Sequence, residues 1–89
     1  MLIVVSYDIK DDKRRNKIHK ELKNYGQWVQ YSVFECDLTK EEYLRLRHAL
    51  NRLIDRSMND SVRFYFLCDG CSGRVERIGV RGNLMHGPT

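Results

Sequence analysis

Eighty-nine residues, 42% hydrophobic and 31% charged, with one proline and six glycines, have the composition of one globular domain rather than a disordered or collagenous chain. Sixteen Lys and Arg against twelve Asp and Glu leave a formal charge of +4, which favours an anionic partner. No apolar run approaches the ~20 residues of a membrane span, and three cysteines, an odd number, argue against a secreted disulfide framework.

Residues 2–7 (Leu-Ile-Val-Val-Ser-Tyr) form a β-branched and aromatic run that predicts a strand. The run is nearly continuous, which places the strand centrally with both faces covered. It lacks the basic start of a signal peptide and soon meets Asp8, Asp11 and Asp12, so a cytoplasmic domain is expected. Asp11 and Asp12 supply N-cap chemistry for a helix over residues 13–24. Its apolar stripe is Ile18, Leu22 and Tyr25, and Gly26 is the expected C-cap. Residues 28–38 alternate loosely and predict one strand or two, with a bend or turn at Ser32.

Thr39 and Glu42 have capping-box spacing and open a second helix, with Tyr43, Leu46, Leu50, Leu53 and Ile54 as its apolar positions. A polar connection over residues 55–61 leads to a strongly aromatic strand over residues 62–68. Two glycines within residues 69–73 mark a turn before a last strand over residues 74–80 and a tail over residues 81–89. Strands interleaved with two helices predict a single α+β sandwich over residues 1–89, with both helices on one face of a sheet. A chain this short buries only about 60–65% of its unfolded surface. Self-association through the last strand is therefore expected.

Asp8 is the first residue with chemical promise. A carboxylate ending a central apolar strand needs hydration, a partner or a metal, and ligands gather at strand carboxyl ends. It either serves such a site or braces the helix start beside Asp11 and Asp12. Mg²⁺ takes one or two carboxylates plus waters and phosphate oxygens, so two chains would supply what one lacks. Residues 10–23 hold seven basic and three acidic side chains, among them Arg14, Arg15 and Lys17. They either neutralise phosphates or form a solvated helix face. Phe34 stacks a base if exposed and joins the core if not. Cys68 and Cys71 make half a zinc site, with no second pair to complete it. Phosphate binding outranks other partner classes, and no reaction is forced.

Val5-Ser6-Tyr7-Asp8-Ile9, then Asp12 with Arg14-Arg15, then Gly26, then Gln30-Tyr31-Ser32-Val33-Phe34-Glu35 occur in order and at natural spacing. In this the chain resembles the CRISPR-associated protein 2 family, the small subunit of the spacer-adaptation machinery. The match continues more loosely through the aromatic strand over residues 62–68 and includes Arg77-Ile78-Gly79. The resemblance implies a ferredoxin-like βαββαβ fold, with residues 28–38 divided into two strands. It implies a homodimer in which the extra C-terminal strand pairs with the partner's sheet. It also implies that Asp8 is the catalytic residue and the ligand of a Mg²⁺ ion shared across the two-fold.

By the same resemblance, Arg14, Arg15 and Lys17 contact nucleic acid, and Tyr7, Ser32 and Phe34 support the site. Lys17 stands where the family often has arginine, and Trp28 where a basic residue occurs, so bidentate phosphate geometry is lost at Lys17. Two functions follow from the resemblance. One is a metal-dependent endonuclease acting on single-stranded RNA or double-stranded DNA. The other is a non-catalytic DNA-binding adaptor that bridges CRISPR integrase subunits. An RNase-type toxin on the same fold accounts less well for the Gln30–Glu35 block.

Overall fold

A computed structural model describes residues 1–67, together with Glu76 and Ile78. The element order is β1 (Leu2–Asp8), α1 (Asp12–Lys23), β2 (Gln27–Gln30), β3 (Val33–Asp37), α2 (Lys40–Leu53), a 3₁₀ turn (Arg56–Met58) and β4 (Ser61–Leu67). The sheet order is β2-β3-β1-β4, and every neighbouring pair is antiparallel. This is the ferredoxin-like βαββαβ arrangement, with β1 central as its apolar run predicts. The expected last strand, the tail and the Cys68–Cys71 turn lie outside the described residues.

Local chemistry accounts for the boundaries of both helices. Asp11 caps α1 by accepting a hydrogen bond from the Arg14 backbone N–H at 2.9 Å. Thr39 caps α2 reciprocally: its hydroxyl accepts from the Glu42 N–H at 3.1 Å, and its own N–H donates to Glu42 Oε1 at 2.8 Å. Each such cap stabilises its helix by roughly 1 kcal/mol. Ile18 and Leu22 from α1, and Leu46 and Leu50 from α2, are buried against Ile3, Val5, Phe34 and Cys36 of the sheet. Burial of each large side chain contributes roughly 1.5–3 kcal/mol.

Three details refine the sequence expectation. The C-cap of α1 is Asn24, in a right-handed helical conformation, and not Gly26. Gly26 answers a different need: a Cβ there would collide with the Cys36 sulfur and the Glu35 carbonyl oxygen, so β3 passes too close for any side chain. Residues 28–38 do divide into two strands. The loose alternation there comes from a register shift between Trp28 and Gln30, which leaves Val29 without an opposite residue on β3.

The third detail concerns β1, whose two faces differ. Ile3, Val5 and Tyr7 are buried, whereas Leu2, Val4 and Ser6 are only partly shielded. Among the described residues, no helix covers the second face.

Candidate functional site at the end of the central strand

Antiparallel register places Asp8 opposite Ser61, and Ser6 opposite Arg63. Directly paired residues point to the same side of a sheet. Asp8, Ser6, Ser61 and Arg63 therefore share the face away from the helices. Together with Tyr7 they line an open hollow of about 230 Å³, into which the exposed Asp8 carboxylate is set. Arg63 Nη1 reaches the Tyr65 hydroxyl at 3.5 Å. That hydrogen bond raises the arginine pKa most, and the Asp8 charge adds to the effect. A cation beside a carboxylate and two hydroxyls suits a phosphodiester: donors meet its oxygens while the carboxylate stays available to a cation.

Arg63 escaped the sequence reading. Its signal was present as a single arginine within Val62-Arg63-Phe64-Tyr65-Phe66, out of phase with Val62, Phe64 and Phe66. Those three lie opposite Tyr7, Val5 and Ile3 on the helix-covered side, so period two sends Arg63 to the other face.

The fit to a divalent cation is partial within one chain. Asp8 offers a carboxylate, but no cluster of three or more His, Cys, Asp or Glu forms a metal cage among the described residues. Such a donor set suits Mg²⁺, which keeps several waters and takes substrate oxygens, and does not suit a closed structural metal site.

The remaining predicted residues go to different places. Arg14 turns inward, donating from Nε to Asp60 Oδ2 at 2.7 Å and from Nη2 to Asp60 Oδ1 at 3.2 Å. In the free chain it is held in an ion pair with the buried Asp60 side chain. Arg15 is braced against the Ile9 carbonyl at 3.0 Å, the Lys10 carbonyl at 3.4 Å and the Asp12 carboxylate, while Lys17 projects into solvent. Phe34 is 0% exposed, so it has no face to offer a base, and its role is in the core.

Tyr7 points to the helix side, and its hydroxyl lies 3.1 Å from His19 Nδ1. Burial raises the Tyr7 pKa, with Ser32 and Arg15 opposing. Burial first, and Lys23 second, lower the pKa of His19, which favours a neutral ring beside that hydroxyl. The His19 ring packs edge-on against Phe34 and Trp28, at centroid distances of 5.1 and 5.8 Å.

Fold and site together define a small ferredoxin-like domain whose central strand ends in an exposed carboxylate flanked by an arginine and two hydroxyls. The model of the CRISPR associated protein Cas2 family matches residues 1–75, and the chain belongs to that family. A CRISPR-associated endoribonuclease Cas2 of Chloroflexus aurantiacus is 51% identical over 79 residues, covering 89% of this chain and 85% of the relative. A second, from Methanospirillum hungatei, is 42% identical over 77 residues, covering 86% and 84%. The crystal structure of Streptococcus pyogenes Cas2 superposes with a TM-score of 0.75 at 39% identity, covering 89% of this chain and 100% of that one. A hypothetical protein from Thermus thermophilus gives a TM-score of 0.77 at 44% identity, covering 90% and 92%.

Proposed function

We propose that the protein is a metal-dependent endonuclease that cleaves phosphodiester bonds of RNA, working as a homodimer in spacer acquisition. The observation that carries this reading is the exposed Asp8 carboxylate at the end of β1, in a hollow with Ser6, Ser61 and Arg63. The endoribonuclease names of its relatives support RNA as the substrate class. Asp8 from each of two copies would hold one Mg²⁺, which when bound supplies a water of lowered pKa and charge neutralisation at the scissile phosphate. The residues of this chain do the rest. Arg63 takes a non-bridging phosphate oxygen, the Ser6 and Ser61 hydroxyls donate to the phosphodiester, and Arg15 and Lys17 hold the flanking backbone.

Asp8→Asn preserves shape and removes the charge. With labelled single-stranded RNA and Mg²⁺, cleavage falls by about 100-fold or more, as expected for removing a group that acts on the reacting atoms. The circular dichroism melt and the dimer mass remain unchanged. Cleavage by Asp8→Asn at the wild-type rate would exclude Asp8 from the chemistry.

One observation favours a second reading. Each chain brings a single carboxylate, set beside a cation, and no second acid lines its hollow among the described residues. The dimer would then be a DNA-binding adaptor between CRISPR integrase subunits. In that case the wild type binds duplex DNA and cleaves neither RNA nor DNA.

A further inference from the structure

Tyr31 and Ser32 join β2 to β3 in a two-residue turn. Tyr31 occupies the left-handed region at φ 44°, where glycine or asparagine is the usual resident, and the residue is 85% exposed. An aromatic side chain gains nothing for folding from such a position: it buries little and strains its own backbone.

The turn is nonetheless held firmly. Trp28 Nε1 donates to the Tyr31 carbonyl at 2.7 Å, and the Tyr7 N–H donates to the Ser32 carbonyl at 3.1 Å. Trp28 in turn packs against His19 of α1. The exposed ring is thus mounted on a braced support.

Between this turn and α1 lies an open hollow of about 350 Å³, lined by Tyr7, Arg15, Asn16, His19, Tyr31 and Ser32. That volume is within the range of small-ligand sites. Its walls offer an exposed amide, a hydroxyl, a fixed guanidinium and an aromatic face. The combination matches an unpaired nucleobase carrying its phosphate: stacking on the ring, hydrogen bonds to the base edge, and a cation for the backbone. Tyr7 and Asp8 are consecutive on β1, so this hollow and the Asp8 hollow sit on opposite faces of the same strand end.

We propose that the hollow between α1 and the β2–β3 turn is a base-binding subsite. An unpaired base of a single strand stacks on Tyr31 and bonds to Asn16 and Ser32, while Arg15 takes the adjoining phosphate. The proposal rests on the nucleic-acid reading above and extends it by naming what selects single strands: duplexed bases are already stacked and cannot enter.

The test uses the whole 89-residue chain in EDTA, so that binding is read without cleavage. The probe is a single-stranded RNA heptamer with one 2-aminopurine, whose fluorescence is quenched on stacking. Wild type and Tyr31→Phe quench the probe and bind with similar affinity. Tyr31→Ala and Tyr31→Asn lose the quench and bind about tenfold or more weakly, the scale of one lost base–aromatic stack. Asparagine tolerates the left-handed backbone, so Tyr31→Asn stays folded by thermal melt. Binding of an RNA duplex changes in none of them.

Wild-type quenching and affinity in Tyr31→Asn would overturn the subsite, as would an equal loss of duplex binding. Failure of the Asp8→Asn cleavage test leaves these readouts untouched, so the two ideas fail separately.

Discussion

Arg14 and Asp60, 46 residues apart, are joined by two hydrogen bonds of 2.7 and 3.2 Å. The Asp60 side chain has no exposure to solvent, and its Oδ2 also accepts from the Asp55 N–H at 2.8 Å. The pair fastens the start of α1 to the loop that feeds β4, one residue before Ser61 takes its place opposite Asp8. Removing one partner strands a buried charge, which costs far more than losing an exposed pair. Arg14→Ala and Asp60→Asn therefore each lower the melting temperature by several degrees at pH 7. Arg15→Ala, whose partner Asp12 is exposed, lowers it by much less.

The pH dependence of that pair has a definite sign. The hydrogen bonds from Arg14 hold the Asp60 pKa below its ordinary value. The stabilisation is fully present above the unfolded aspartate value of about 3.9 and is lost as pH falls through the folded value. Urea melts at pH 7, 4 and 3 should show the gap between wild type and Asp60→Asn narrowing only below about pH 4.

The proposed phosphate contacts of α1 can be separated by their salt dependence. Each phosphate-binding cation lost from a duplex complex lowers the salt slope of log K by about 0.9. Arg15→Ala and Lys17→Ala should each reduce the slope by roughly that amount. Arg14→Ala should leave it unchanged once the protein is folded. Binding titrations at several salt concentrations distinguish the three.

Gly26→Ala forces a methyl group into the space of the Cys36 sulfur and the Glu35 carbonyl. Overpacking of this kind costs about 1–3 kcal/mol, measurable by urea unfolding. Cys36→Ala removes the sulfur and part of the collision. In the double variant the two costs should therefore sum to less than their separate values.

Burial pushes the Cys36 thiol up to about 11, with Glu35 adding to the effect. An unfolded thiol ionises near 8.5, so at alkaline pH the unfolded chain loses its proton first. The stabilisation from the neutral buried thiol is complete below about pH 8.5 and is lost as pH rises towards 11. Stability of the wild type should fall across that window more steeply than that of Cys36→Ala. In a Cys68→Ser, Cys71→Ser background, Cys36 should resist iodoacetamide at neutral pH until the protein unfolds.

Much of the architecture is written in local patterns. The apolar run of β1, the four-residue spacing of Ile18 and Leu22, and the Thr39–Glu42 box each act over a single turn or strand, and each forms the element it predicts, although only one face of β1 is buried. The position of Asp8 at the end of β1 follows from the same local logic. The Tyr-Asp-Ile and Gln30–Glu35 blocks identify the family because their residue order survives without any knowledge of contacts.

Tertiary structure alone decided which of these residues meet. Arg14 and Arg15 are neighbours in sequence, yet one turns to a buried aspartate that reaches it only through the return of β4, and the other lines an open hollow. Phe34 and Tyr31 belong to one motif, but the shift at Trp28–Gln30 and the turn that follows send the first into the core and the second into solvent. Gly26 is required by the closeness of β3, and Arg63 joins Asp8 through the register of β1 with β4. Periodicity specifies the face on which a side chain lies. The partner it finds there depends on chain segments dozens of residues away, whose approach is set by the packing of the whole sheet.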